Sequence, residues 1–279
     1  MNVSHHSNIT FGTNLPGAFS KIEVGISKAC NLRCSYCPNS LIKGQSKEQL
    51  MPIQLFEKIL NDLKDIDYDD IIMFHRYNEP LLAPVEAYIR KAKSMLKNIE
   101  TELFTNGTLL NTERLKSLKA AGIDTIVVTQ HTPKGFMDKL TEIPDKLLDG
   151  VFVRYNDEVV LMNRAGALTN IPNEISANAP CAVVSRSMSV ETDGTVSLCC
   201  DDFDSQINWG SVTKKSISEI WTNEKFVKTR EMLMQGIRKF PLCQKCSRSS
   251  TPVDNWRRLP ESNAALFRKK LLQKQGKHT

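Results

Sequence analysis

Ala29-Cys30-Asn31-Leu32-Arg33-Cys34-Ser35-Tyr36-Cys37-Pro38 places three thiols within eight residues, in a C-x3-C-x2-C spacing directly after an apolar segment. Three thiolates on one loop can hold one polynuclear metal centre, and they leave a four-iron cluster one ligand short. An iron without a protein ligand is open to a small molecule. Three structural thiols this close would be redundant as core packing. A zinc ion asks for four ligands, usually in C-x2-4-C pairs. A disulfide framework does not suit a chain of 279 residues whose opening lacks a secretory signal. The spacing favours a cluster.

Working outward, residues 18–27 alternate, with Ile22, Val24 and Ile26, and predict a first strand. Ile53, Phe56, Ile59, Leu60 and Leu63 predict a helix over 52–65. Next come a buried strand at 71–74, a helix at 84–96, a strand at 100–104 and a helix at 111–121 stopped by Gly122. A β-branched strand follows at 123–129, then a helical stretch at 133–148 interrupted by Pro144, then strands at 151–155 and 159–162. This alternation argues for parallel β/α units with right-handed crossovers. Six strands are too few for a full eightfold barrel, which takes roughly 250 residues, so an α/β chain with an open, partial (β/α)6 TIM-like barrel is expected. Chemistry in such folds gathers at the carboxyl ends of strands. The cysteine loop and residues 77–80, 105–107 and 129–131 all fall there, which singles out Glu79, Asn106, Thr129 and His131.

The chain is 41% hydrophobic and 24% charged, as in ordinary globular proteins, and its length suits one domain plus a small appendage. No stretch is long and apolar enough to span a membrane. Eight cysteines without a secretory signal point to metal and to a reducing cytoplasm. The net charge of +6 is concentrated near the end, in Arg257, Arg258, Arg268, Lys269, Lys270, Lys274 and Lys277. With Leu266, Phe267, Leu271 and Leu272 these predict an amphipathic terminal helix with a solvated basic face. No nucleic-acid module accompanies it, so no nucleic-acid partner is expected.

The other cysteines are Cys181, Cys199, Cys200, Cys243 and Cys246. Cys181 and Cys199 form C-x12-G-x4-C around Asp193-Gly194, which predicts a β-hairpin with Cys199 at a strand end. Cys243 and Cys246 form C-x2-C. On spacing alone a zinc ribbon fits as well as an iron–sulfur centre, because soft thiolates suit either metal.

With Tyr36 before its last cysteine, the first loop resembles the signature of radical S-adenosylmethionine (SAM) enzymes. The resemblance implies that Cys30, Cys34 and Cys37 hold a [4Fe-4S] cluster whose open iron is chelated by the amino and carboxylate groups of SAM. It implies cleavage of SAM to methionine and a 5′-deoxyadenosyl radical that abstracts hydrogen from substrate, with electrons from a donor such as flavodoxin or ferredoxin. The protein's part is to position the reacting carbon. Tyr77-Asn78-Glu79-Pro80 resembles the Gly-Gly-Glu-Pro of that family, with Tyr and Asn in place of glycines, and implies that Glu79 accepts a hydrogen bond from the SAM amino group. Tyr36, Glu79, Asn106 and Thr129 are the expected cofactor contacts. The later cysteines, with Asn208-Trp209-Gly210 and the helix after Ser216, resemble the SPASM/twitch auxiliary-cluster domain. No cysteine follows Cys246, which matches the short twitch form. That implies a second [4Fe-4S] cluster on Cys181, Cys199, Cys243 and Cys246, with Cys200 left over. Asn163-Arg164-Ala165-Gly166 is similar in placement to a segment of cyclitol-oxidising members, in which an arginine contacts substrate, so Arg164 is a candidate.

These readings divide the chain into a leader (1–18), a radical SAM partial barrel (19–170), a twitch domain (171–250) and a basic helix or tail (251–279). The expected activity is a dehydrogenase-like oxidation of a small polar substrate (a sugar, cyclitol or similar), with the auxiliary cluster as electron acceptor. Arg164, His75, His131, Arg154 or Tyr155 could bind or polarise the substrate hydroxyl. Two alternatives stay open. One is radical epimerisation with Cys200 as hydrogen donor. The other is modification of a ribosomal peptide, although the residues before the first strand are too few for a leader-binding domain.

Overall fold

Five of the expected strands form in a computed structural model, which describes residues 19–41, 49–155, 161–171, 178–248 and 263–274. They are β1 (Lys21–Val24), β2 (Ile71–Met73), β3 (Glu100–Thr105), β4 (Thr125–Gln130) and β5 (Val151–Tyr155), paired in parallel and in chain order. The helices between them are α1 (Ile53–Lys64), α2 (Val85–Met95) and α3 (Thr112–Ala121). Asn111 caps α3 by accepting from the Arg114 amide, and Gly122 ends it at φ 96°, where a residue with a Cβ would be strained.

Alternation along the strands decides which face is core and which is cavity. Ile22, Val24, Ile72, Leu103, Ile126, Val128, Val151 and Val153 join the core under the helices, where Phe56, Ile59, Leu60 and Leu63 of α1 meet them. The opposite positions, Lys21, Glu23, Met73, Phe104, Thr129 and Arg154, face a cavity. The barrel interior is therefore polar by register.

Residues 133–148, expected to be helical, form two short 3-10 segments, Met137–Glu142 and Asp145–Leu147. Pro133, Gly135 and Pro144 interrupt the run too often for an α-helix, yet Phe136, Met137, Leu140, Ile143 and Leu148 are still buried. Half of the strand expected at 159–162 lies outside the described residues, and the other half, Leu161 and Met162, is irregular.

The sixth parallel strand comes from further along the chain. After a short α4 (Val183–Arg186), β6 (Ser187–Val190) pairs in parallel with β1, from Lys21 opposite Ser187 to Val24 opposite Val190. β7 (Thr195–Ser197) and β8 (Asn208–Ser211) add antiparallel strands. One eight-stranded sheet, β5-β4-β3-β2-β1-β6-β7-β8, thus runs through the expected boundary at 170/171. α5 (Ile217–Trp221), with a Ser216/Glu219 capping box, docks on α1, where Asp62 accepts from the Ile217 amide at 3.0 Å. α6 (Glu224–Met234) and α7 (Pro241–Gln244) complete this half.

The terminal helix, α8 (Ala264–Lys274), packs beside β5. Leu272 is buried, Phe267 and Leu271 pack against the core and Leu266 stays exposed, while Arg268 pairs with Asp145 at 2.8 Å. Arg257, Arg258, Lys277 and the Lys274 side chain lie outside the described residues. No helix among the described residues is long and apolar enough to cross a membrane.

Candidate active site

The cysteine loop leaves β1 and returns to α1 through a neck closed by the Ser27–Leu50 bridge and by the Met51 amide on the Ile26 carbonyl. Within it the Cys37 amide donates to the Cys34 carbonyl and the Ser40 amide to the Cys37 carbonyl, both at 2.9 Å, which folds the segment tightly. All three thiols line one cavity of about 350 Å³ on the polar face of the sheet. Burial pushes the Cys30 and Cys37 thiols up, and for Cys37 it outweighs the opposing pull of Arg164 and Arg33. Among the described residues no three His, Cys, Asp or Glu are gathered as a single metal ion would need. Three thiolates on one loop would suit a polynuclear cluster.

The candidates Tyr36, Glu79, Asn106, Thr129, His131, Arg164 and Cys200 line the same cavity, as does Arg154, whereas Tyr155 does not: it is exposed and meets Phe267 of α8. Glu79 is 1% exposed. It accepts from Thr105 Oγ1 at 2.7 Å, from the Asn106 amide at 2.8 Å and from the Leu81 amide at 3.1 Å. Burial pushes its pKa up against those donors. Asn106 also donates to Asn31 Oδ1 at 2.9 Å, tying the β3 turn to the cysteine loop. Gly107 closes that turn at φ 73°, and a Cβ there would lie 2.7 Å from Val128 Cγ1. Tyr36 Oη and His131 Nδ1 are 2.7 Å apart, and Thr129 Oγ1 accepts from Arg154 Nε at 2.9 Å. His75, also on the wall, is pushed down to about 3 by burial and by Lys21, Arg76 and Arg154.

Residues 76–79 act as a bridge. Asn78 Nδ2 donates to Ser27 Oγ at 3.0 Å and the Glu79 amide to the Ala29 carbonyl at 2.8 Å, both toward the cysteine loop. Tyr77 Oη donates to the Cys200 carbonyl at 2.6 Å, and Arg76 reaches the Cys199 carbonyl at 3.5 Å. Arg76 further pairs with Glu23 and, more closely, with Glu191.

Cys181, Cys199, Cys243 and Cys246 gather elsewhere, in a second apolar cluster with Val184, Leu198, Leu233 and Leu242. The hairpin turns at Gly194 and sets Cys199 just past β7, as its spacing predicts. Burial raises the Cys199, Cys243 and Cys246 thiols. Arg238 holds this segment by donating to the carbonyls of Ala179, Cys243, Cys246 and Arg248. Cys200 turns the other way, into the cavity. Four thiols in one apolar pocket suit a cluster ligated wholly by protein. All eight cysteines are unbridged.

Arg164 sits on an unusual backbone: Arg164, Ala165 and Gly166 have φ of 51°, 53° and 86°. Two non-glycine residues in this region cost about 1–3 kcal/mol each and persist only where the surroundings impose them. Asn163 imposes them here, exchanging hydrogen bonds with Ser247 and donating to the Lys245 carbonyl at 2.6 Å. Arg164 is thereby carried to Asp201 at 2.9 Å and over the Tyr77 ring. Lys21, Glu23, Arg76, Arg238 and Arg248 escaped the sequence reading. Only Lys21 and Glu23 left a signal there, as charges alternating with Ile22 and Val24 in a strand flanked by parallel neighbours.

Comparison with known proteins agrees with this geometry. The profile of the Radical SAM superfamily matches residues 24–150, and that of an iron–sulfur cluster-binding domain, SPASM, matches residues 181–247. The SAM-dependent 2-deoxy-scyllo-inosamine dehydrogenase of Niallia circulans is 34% identical over 243 residues, covering 85% of this chain and 96% of that protein. This chain belongs to the radical SAM superfamily. Radical SAM enzymes use a [4Fe-4S] cluster with SAM, and the SPASM match adds an auxiliary iron–sulfur site. A solved structure of BtrN with AdoMet and 2-DOIA superposes with a TM-score of 0.77 at 33% identity, over 84% of this chain and 95% of that one. A GTP 3′,8-cyclase of Helicobacter pylori is 33% identical over 129 residues, 45% of this chain and 38% of that protein.

Proposed function

We propose that this radical SAM enzyme dehydrogenates an alcohol carbon of a small polar substrate, a sugar, cyclitol or similar compound. A four-iron cluster on Cys30, Cys34 and Cys37 would supply the hydrogen-abstracting radical from SAM, and one on Cys181, Cys199, Cys243 and Cys246 would accept an electron. The substrate carbinol gives up a hydrogen atom from carbon, a proton from oxygen and one electron, leaving a ketone. Glu79 receives the amino group of SAM, while Asn106, Thr129 and Tyr36 border it. Arg164 is the candidate for holding the substrate hydroxyl, because its loop is strained into the cavity. His75 stays neutral at physiological pH and already accepts from the Phe104 amide, so His131, hydrogen-bonded to Tyr36, is the better-placed imidazole. A flavodoxin or ferredoxin in a reducing cytoplasm is the proposed electron source. Residues 19–170 supply five strands of the barrel, and residues 171–250 form the twitch part while contributing β6 beside β1.

The carrying observation is the division of the cysteines. Three line the cavity with the SAM-contact candidates, and four lie behind it in a separate apolar pocket. The relative named for dehydrogenation of 2-deoxy-scyllo-inosamine supports the reaction type. Anaerobic reconstitution should give about eight irons per chain, as two four-iron clusters require. 5′-deoxyadenosine should then form with an equal amount of two-electron-oxidised product. Zinc with no SAM cleavage would refute the reading.

The position of Cys200 supports a second reading, epimerisation. Its thiol lines the cavity, and burial pushes it up to about 12, so it keeps its hydrogen at neutral pH. In deuterated water an epimerase would place solvent deuterium in the product and lose that incorporation in Cys200→Ala. A ketone product excludes it.

A further inference from the structure

Among the described residues the cavity wall carries Lys21, Arg76, Arg154, Arg164 and Arg248 with two carboxylates, Glu23 and Glu79, and Arg76 is further answered by Glu191. Both carboxylates are engaged: Glu79 takes three hydrogen bonds from protein donors, and Glu23 faces Arg76 and Ser189. A third, Asp201, stands 1% exposed behind the wall. It accepts from Arg164 at 2.9 Å and from Arg248 at both of its oxygens.

One aspartate thus answers two guanidiniums, and both border the cavity. Among the described cavity-lining residues no carboxylate is left over to receive a substrate ammonium. An oxyanion is the complement that paired arginine forks recognise, and contacts of this kind strengthen as water is excluded.

We propose that the substrate carries an acidic group, a carboxylate or a phosphate monoester, held by Arg164 and Arg248 beside the Cys199–Cys200 loop. This deepens the dehydrogenase reading, which supplies the reaction, but the binding preference stands on the arginines alone. It also separates this chain from the relative named for an inosamine, whose substrate bears an amine.

The test uses the holoenzyme with both clusters and saturating SAM, so that the cofactor's own carboxylate is already placed. Four probes share one ring: glucose, glucosamine, glucuronate and glucose 6-phosphate. Titration calorimetry should find one of the two acids bound about tenfold or more tightly than glucose, as charge-assisted hydrogen bonds imply, and glucosamine bound no better. The preferred acid distinguishes carboxylate from phosphate. Arg248→Gln should collapse the acid-to-glucose ratio toward one, and Arg164 remains to pair with Asp201. Indistinguishable binding of the four, a preference for glucosamine, or loss of SAM affinity in Arg248→Gln would each overturn the inference. Formation of 5′-deoxyadenosine in the same sample reports separately on the radical reading.

Discussion

Arg76→Met probes the joint between the two halves of the sheet. The substitution keeps most of the side-chain volume and removes a guanidinium that is 3% exposed. Its partners come from both halves: Glu23 on β1 at 3.5 Å, Glu191 in the hairpin turn in a closer pair, and Ser197 Oγ at 3.1 Å. The carbonyls of Cys199 and Asp202 each lie at 3.5 Å. The two carboxylates are themselves only 10% and 15% exposed, so water cannot take the place of the lost charge. Breaking a buried pair from one side costs about 3–5 kcal/mol, against about 0–1 kcal/mol for a surface pair. Two stranded carboxylates put the cost near the upper end. For a chain of this size each kcal/mol lowers the melting temperature by about 2–4 °C, so a fall of roughly 10 °C or more is expected.

Anaerobic scanning calorimetry of the cluster-loaded protein measures that fall. A second readout locates it: because Arg76 holds the Cys199 carbonyl, the auxiliary cluster should yield iron to a chelator sooner in the variant than in the parent. Adding Glu191→Gln removes one stranded carboxylate and should recover part of the loss, with a coupling of about 1 kcal/mol or more. A shift no larger than a surface pair produces, or a double variant weaker than the sum of the singles, would refute the assignment of Arg76 as a buried joint.

Glu79→Gln replaces a carboxylate that the SAM amino group is proposed to meet, and SAM affinity measured by equilibrium dialysis should fall about 10–100-fold, as for other partners around a metal site. Unchanged affinity would remove Glu79 from the cofactor site. Gly107→Ala should cost about 1–3 kcal/mol in thermal stability, because φ 73° and the 2.7 Å approach to Val128 Cγ1 both oppose a Cβ; a neutral effect would contradict the turn geometry. For Asp201, burial alone would raise the pKa, but Arg248 and Arg164 more than offset it and hold the carboxyl below the ordinary range. A folded-state pKa depressed in this way gives stability that is present above the unfolded value of about 4 and lost as pH falls through the folded one. The stability gap between the parent and Asp201→Asn, followed by chemical denaturation, should therefore be full at neutral pH and narrow below about pH 4; a gap independent of pH would refute it.

What was legible in the sequence follows from the range of each signal. Alternation of Ile22, Val24 and Ile26 and the helical spacing of Phe56, Ile59 and Leu63 are local, and β1 and α1 appear where they predict. The cysteine groups were legible because ligand spacing is chemistry written along the chain. The pairing of β6 with β1 was not legible, because it joins residues 166 positions apart, such as Lys21 and Ser187, and a strand's pattern does not name its neighbour. Arg76, Arg238 and Arg248 were hidden for the same reason. Each is one arginine among many until the fold brings its partners to it. The helix expected over 133–148 failed locally, since apolar spacing was weighed above Pro133, Gly135 and Pro144.

The departure of Tyr77 and Asn78 from the family's paired glycines has a physical account in the same geometry. Residues 76–79 follow β2, whose neighbour β1 leads into the cysteine loop, and β1 is in turn hydrogen-bonded to β6 of the hairpin. Glycines at 77 and 78 would remove the Tyr77 and Asn78 contacts and leave only the Glu79 amide and Arg76 to link this segment to the two cysteine-bearing loops. Asn78 and the Glu79 amide hold the first loop at Ser27 and Ala29, while Arg76 and Tyr77 hold the second at the carbonyls of Cys199 and Cys200. Each contact falls on or within a few residues of a thiol proposed as a ligand. A four-residue segment therefore sets the separation of the two centres by direct hydrogen bonds. An electron passing from a substrate in the cavity to the auxiliary site would cross a gap that sheet register and these side chains keep constant.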